Sequence, residues 1–123
     1  MESGDKPRDI KERTFQFALE IVRLCRALDE KPGVARTLGN QLLRSGTSIG
    51  ANVEEAQAGQ SRADFVSKYA IALKEARETV YWLRLLHEFG EHSNGQCETL
   101  QREADEIARI LGAIIVNAKK KGS

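Results

Sequence analysis

RSGTSIGANVEEA, Arg44 to Ala56, is the stretch on which the fold turns. Ser45, Gly46, Thr47, Ser48 and Gly50 crowd into it, in a chain otherwise rich in helix formers. It reads as a loop between short helices, as a glycine-rich phosphate cradle, or as one helix with a thin face. Leu38 and Leu42 precede it at helical spacing, and Val53 and Ala56 continue that spacing beyond it. The series Leu38, Leu42, Ser45, Ile49, Asn52 or Val53, Ala56 never changes phase, and a loop would reset it. One helix is therefore predicted, with a kink near Gly46 to Gly50 as the alternative. Each of those glycines costs about 1 kcal/mol relative to Ala in a helix. Such a cost predicts that a neighbouring helix or another chain approaches closely. A phosphate loop needs GxxxxGK followed by Ser or Thr after a strand, and this stretch offers neither.

Three further segments repeat apolar residues with the same four-three alternation. The first runs Ile10, Thr14, Phe17, Ile21, Leu24, Leu28. Another runs Phe65, Tyr69, Ala72, Ala76, Thr79, Leu83, Leu86, and the last Cys97, Leu100, Ala104, Ile107, Leu111, Ile114, Ala118. A repeat of about 3.5 residues lays each series on one helical stripe and favours near-parallel packing. Pro32 and Gly33 break the first helix, and Gly59 is a candidate cap for the second. Ser61 with Asp64 opens the third, and Gly90 to Gly95 separates it from the fourth. Such short connections make successive helices antiparallel neighbours. The expected fold is all-α: an antiparallel up-down-up-down four-helix bundle, one domain over residues 1–123. Its helices are placed near 8–30, 34–58, 62–89 and 95–119.

Composition narrows the function. A net charge of +1 and 30% charged residues single out no partner. No apolar run is long enough to span a membrane and no signal-peptide core is visible, so a cytoplasmic protein with reduced thiols is expected. Cys25 and Cys97 lack CxxC spacing and read as core residues. A di-metal carboxylate enzyme on this fold needs Glu-x-x-His pairs. The only histidines, His87 and His92, are not so placed. No catalytic residue, cofactor, metal or small-molecule substrate is expected, and a metal-carboxylate enzyme is the least favoured alternative.

Three groups of residues remain as candidates for contacts. Phe15, Leu19 and Val22 lie off the main stripe of the first helix. Leu73, Tyr81, Trp82 and Leu85, with Val80, make the third helix apolar nearly all round, and Ile110 and Val116 are off-stripe on the fourth. An excess of this kind predicts a subunit interface, or else an unusually wide interior. Glu54 and Glu55 oppose the macrodipole at the end of their helix and want counter-ions, with Arg44, Lys68, Lys74 and Arg77 as candidates. Arg8, Lys11 and Arg13 open the first helix and Lys119, Lys120 and Lys121 close the fourth. In an up-down-up-down bundle those two ends lie near each other, and they form a basic end patch for RNA or DNA or else a solvated tail.

The opening stretch resembles the signature R-S-x-x-S-I-x-x-N-I-x-E-G of the bacterial four-helix-bundle proteins first named for reading frames in intervening sequences of 23S ribosomal RNA genes. Arg44, Ser45, Ser48, Ile49, Asn52 and Glu55 match it; Val53 and Ala56 depart from it. Ser61, Asp64 and Phe65 resemble the family's S-x-x-E-F, and Glu78 an acidic position downstream. The resemblance implies a homo-oligomer, most readily a barrel-like pentamer, with no enzymatic activity. A related branch comprises the accessory proteins of diversity-generating retroelements. There a strongly basic pentamer associates with reverse transcriptase and nucleic acid. The near-neutral charge of this chain departs from that branch.

Overall fold

A computed structural model describes residues 9–59, 61–90 and 95–122. Among them stand four helices and no strand: α1 (Ile10–Leu28), α2 (Val34–Gln57), α3 (Arg62–Phe89) and α4 (Gln96–Gly122). The predicted boundaries shift by less than a turn. Asp9 caps α1 by accepting a hydrogen bond from the Lys11 N–H at 3.3 Å. Ser61 caps α3 as expected, accepting from Asp64 N at 3.1 Å. Gly90, left-handed at φ 90°, ends α3. Ala58, not Gly59, is the C-cap of α2. Lys119 to Lys121 form the last turn of α4, where cations suit the negative end of the macrodipole.

α2 is one continuous helix through Gly46 and Gly50, as predicted. Its thin face explains the glycines. A Cβ on Gly46 would stand 2.8 Å from Ile21 Cγ2, and one on Gly50 would stand 3.3 Å from the Thr14 carbonyl oxygen. The first is a clash and the second a tight contact, and both are with α1. The small residues therefore let α1 lie close along α2.

α1 touches α2 and α4, and α3 touches α2 and α4, while α1 and α3 do not meet. The helices thus occupy four corners in the expected antiparallel order, with α1 and α3 running the same way. The four predicted stripes meet at the centre, where Phe17, Ile21, Leu42, Ile49, Leu83 and Ile107 are buried. Burial of each such side chain is worth about 1.5–3 kcal/mol. Among the described residues Thr14, Ser45 and Thr79 are the buried polar ones, and each finds a hydrogen-bond partner.

α1 is the shortest helix and it sits high against α4. Arg13 donates from Nε and Nη2 to the Glu103 carboxylate at 2.8 and 2.9 Å. Lys119 lies roughly 24 Å further along α4 at 1.5 Å per residue. The last turn of α4 therefore runs past the level of Arg13. The reason is length: α4 has 27 residues and α1 has 19.

Candidate interaction surface

The residues of the opening stretch converge on the outer seam between α2 and α3. Arg44 stands on α2 beside the third-helix acids Glu75 and Glu78, because α2 and α3 are antiparallel and Ser45 lies level with Thr79. The guanidinium donates to Glu75 Oε1 at 3.2 Å and also pairs with Glu78. Trp82 Nε1 donates to the same Glu78 carboxylate at 2.9 Å. That indole hydrogen bond, followed by Arg44, holds the Glu78 carboxyl below the ordinary carboxylate range. The Arg44 guanidinium is raised in turn, first by its bond to Glu78. Just inside this layer, Thr79 Oγ1 lies 2.9 Å from Ser45 Oγ and 2.7 Å from the Glu75 carbonyl. It has one proton for two acceptors, and Ser45 Oγ lies 3.4 Å from the Leu42 carbonyl.

Further along the seam, Lys68 Nζ donates to Glu55 at 2.7 Å, and Gln57 Nε2 donates to the Tyr69 hydroxyl at 3.1 Å. Burial raises the Tyr69 phenol, and Phe65 stacks on its ring with centroids 4.4 Å apart. Asn52 is half-buried and donates within its own helix, to the Ser48 carbonyl at 2.9 Å. Ile49 is fully buried in the core. The arrangement is a lock between two helices. Among the described residues no group of His, Cys, Asp and Glu is placed to hold a metal ion.

A model of the 23S rRNA-intervening sequence protein family matches residues 6–113. The chain belongs to that family. A crystal structure from the S23 ribosomal protein family, a protein of unknown function from Bacteroides thetaiotaomicron VPI-5482, is 44% identical and superimposes with a TM-score of 0.80. The match covers 87% of this chain and 98% of that one. No curated protein matches.

The signature of the 23S rRNA-intervening sequence proteins is thus, in this chain, the sequence of one helix–helix seam. Arg44, Ser45, Glu55 and Glu78 all bond within it, while Ser48 and Asn52 line it half-buried. Glu75 and Thr79 belong to the same seam, and the sequence offered signals for both. A hydroxyl in an apolar stripe, as at Thr79, demands a partner.

The apolar candidates divide. Phe15 and Tyr81 are each 57% exposed, and Val22 and Leu85 are exposed as well. Leu19 is half-buried, and Leu73 and Trp82 pack partly against the core. Ile71, Phe89 and Leu43 are exposed apolar residues that sequence patterning passed over. Ile71 and Phe89 fall on the four-three stripe of Trp82 and Leu85, which was the available signal.

The basic candidates also divide. Lys11 faces Glu54 at 3.6 Å, and Arg13 is raised above its ordinary range chiefly by its hydrogen bond to Glu103. Lys119, Lys120 and Lys121 are exposed at the far end of α4, where Arg62 donates to the Lys121 carbonyl at 3.1 Å. Arg8 and His92 lie outside the described residues. Burial pushes the Cys25 thiol up to about 12, with the nearby Cys97 adding to it. A thiol so shifted supplies no thiolate nucleophile near neutral pH. No helix among the described residues is long and apolar enough to cross a membrane.

Proposed function

We propose that the chain is a non-enzymatic homo-oligomeric scaffold, pentameric, whose bundle supplies surfaces for protein interaction. One observation carries this reading. The four core stripes already close the interior, yet Phe15, Val22, Ile71, Tyr81 and Phe89 remain in water. Exposed apolar residues arrayed along helix edges mark surfaces that another chain covers. The Arg44–Glu75–Glu78–Trp82 lock supports the reading too. It stiffens the α2–α3 edge from which Ile71, Leu85 and Phe89 project. Light scattering at micromolar concentration tests it, with absorbance at 260 nm followed in the same run. The expected mass is five times the 13.7 kDa of one chain. A monomer overturns the proposal.

A second reading, an RNA- or DNA-binding accessory factor, draws on the exposed Lys119 and Lys121 at the tip of α4. It predicts nucleic acid carried with the protein, and an affinity that falls steeply with salt.

A further inference from the structure

The core stripes of α3 and α4 run past the ends of the other two helices. Gln57, the last residue of α2, donates to the Tyr69 hydroxyl, so α2 stops at the level of Tyr69. α1 begins short of that level, since Thr14 lies against Gly50 and Lys11 faces Glu54. α3 extends beyond Tyr69 to Arg62, about 10 Å at 1.5 Å per residue. The end of α4 runs alongside it, where Arg62 donates to the Lys121 carbonyl at 3.1 Å. The stripe of Ala76, Ala72 and Tyr69 on α3 continues outward through Phe65 and Arg62. That of Ile107 and Leu111 on α4 continues through Ile114, Ala118 and Lys121. Burial changes where α1 and α2 give out. Tyr69, Ala72, Ile107 and Leu111 are buried, whereas Phe65, Ile114 and Ala118 are half-buried.

Between the two protruding ends lies a groove of about 420 Å³, lined by Arg62, Phe65, Ile114, Asn117, Ala118 and Lys121. Its floor is a continuation of the core that no other helix covers among the described residues. Its rim is cationic. Arg62 is exposed, and its bond to the Lys121 carbonyl uses one of several N–H donors. Lys119 and Lys121 stand exposed beside it. The described anions of this end are engaged elsewhere. Asp9 caps α1, while Glu54 and Glu55 face Lys11 and Lys68. Asp64 faces the α2–α3 turn, where a Cβ added at Gly59 would stand 3.5 Å from its own.

An apolar floor under a cationic rim fits an occupant of the reverse pattern: a large apolar side chain flanked by carboxylates. A protein segment rich in Asp or Glu around a Leu or Phe has both parts. Nucleic acid supplies the anions, but its solvated backbone leaves Ile114 and Ala118 in water, and one face of the Phe65 ring is taken by Tyr69. A second copy meeting this end with the same end would set cations against cations. The uncovered length, about two helical turns, holds a short segment. Asn117 adds a side-chain amide for its backbone.

We infer that the groove between the ends of α3 and α4 docks a short acidic–apolar segment of a partner protein, its apolar side chain on Phe65, Ile114 and Ala118 and its carboxylates at Arg62 and Lys121. The inference rests on the reading of the bundle as an interaction scaffold and gives the partner's chemistry. A display library of random peptides, selected on the full-length protein, tests it. Enriched peptides are expected to carry one or two large apolar residues between acids. The most enriched one, synthesised and followed by fluorescence anisotropy, is expected to bind more weakly as salt rises. Arg62→Glu with Lys121→Glu is expected to weaken it at least about tenfold. Ala118→Trp fills the groove without changing a charge and is expected to abolish binding. Circular dichroism checks that both variants fold. Should they not, a fluorophore on Asn117→Cys replaces them, and its emission is expected to shift when the peptide binds.

No enrichment, enriched peptides without acids, or an affinity unchanged in the folded variants or an unmoved fluorophore overturns the inference. Binding of a labelled oligonucleotide that these variants abolish, with no peptide selected, assigns the groove to nucleic acid and overturns it. A lower native mass in the variants, with no peptide selected, assigns it to a second copy and also overturns it. A monomeric wild type that still selects such peptides removes the oligomer and leaves the docking groove. An oligomer that selects none removes the groove alone.

Discussion

The close approach of α1 to α2 makes one substitution reverse its sign between two positions. In an open helix, Gly→Ala gains about 1 kcal/mol. Gly112 in α4 is such a place, because an added Cβ meets nothing within 4 Å. Gly112→Ala is expected to raise stability by about 1 kcal/mol and Tm by about 3–6 °C. At Gly46 the same Cβ would lie 2.8 Å from Ile21 Cγ2 and 3.0 Å from Cγ1. Ile21 is fully buried, and its branched Cβ leaves it no cheap rotamer to retreat into. Overpacking of this kind costs about 1–3 kcal/mol. Set against the helix-propensity gain, Gly46→Ala is expected to lose up to about 2 kcal/mol. Urea unfolding followed by far-ultraviolet circular dichroism reads both variants, at one protein concentration because association shifts the midpoint. In an Ile21→Ala background the obstructing methyls are gone and the penalty is expected to vanish. If Gly46→Ala stabilises as much as Gly112→Ala, α1 does not lie where the thin face puts it.

Two further predictions concern the α2–α3 seam. Ser45→Ala or Thr79→Val alone is expected to cost about 1–2 kcal/mol, because each leaves a buried group short of its partner. The double variant is expected to cost no more than the worse single one, and strict additivity in the unfolding free energies would contradict the bond between them. Trp82 is the only tryptophan, and its indole donates to Glu78. Glu78 is held below its ordinary 4.5, so its ionised form stabilises the fold above that pH. That contribution is lost as pH falls through the lower, folded value. Tryptophan emission is expected to step with a midpoint below 4.5, and the step is expected to disappear in Glu78→Gln. A midpoint at or above 4.5 would refute the hydrogen-bonded carboxylate.

Much of this architecture was written in local pattern. The four stripes follow from periodicity, because an apolar residue every three or four positions has only one helix face to occupy. Ser61 and Gly90 did their capping where their chemistry placed them. Phase continuity through Ser45, Ile49 and Val53 was enough to call for one helix despite two glycines. The signature residues were legible as a group, since Arg44, Ser45, Ser48 and Asn52 are the wrong types for an ordinary solvent face or core.

Pairings across space were not legible. Nothing in the spacing of Arg13 points to Glu103, and nothing in Lys119 says that its end of α4 runs past the start of α1. Relative height depends on how far each helix slides along its neighbours. That is decided by side chains meeting side chains, such as Ile21 over Gly46 and Thr79 over Ser45. Sequence by itself thus determined the helices, their order and the family signature, because those depend on neighbours within a turn or two along the chain. Only the tertiary structure decided which acid Arg44 holds, which basic residues are spent in ion pairs, and which apolar residues are left in water. Each of these is a contact between residues far apart in the chain, and its existence depends on the register in which the helices pack.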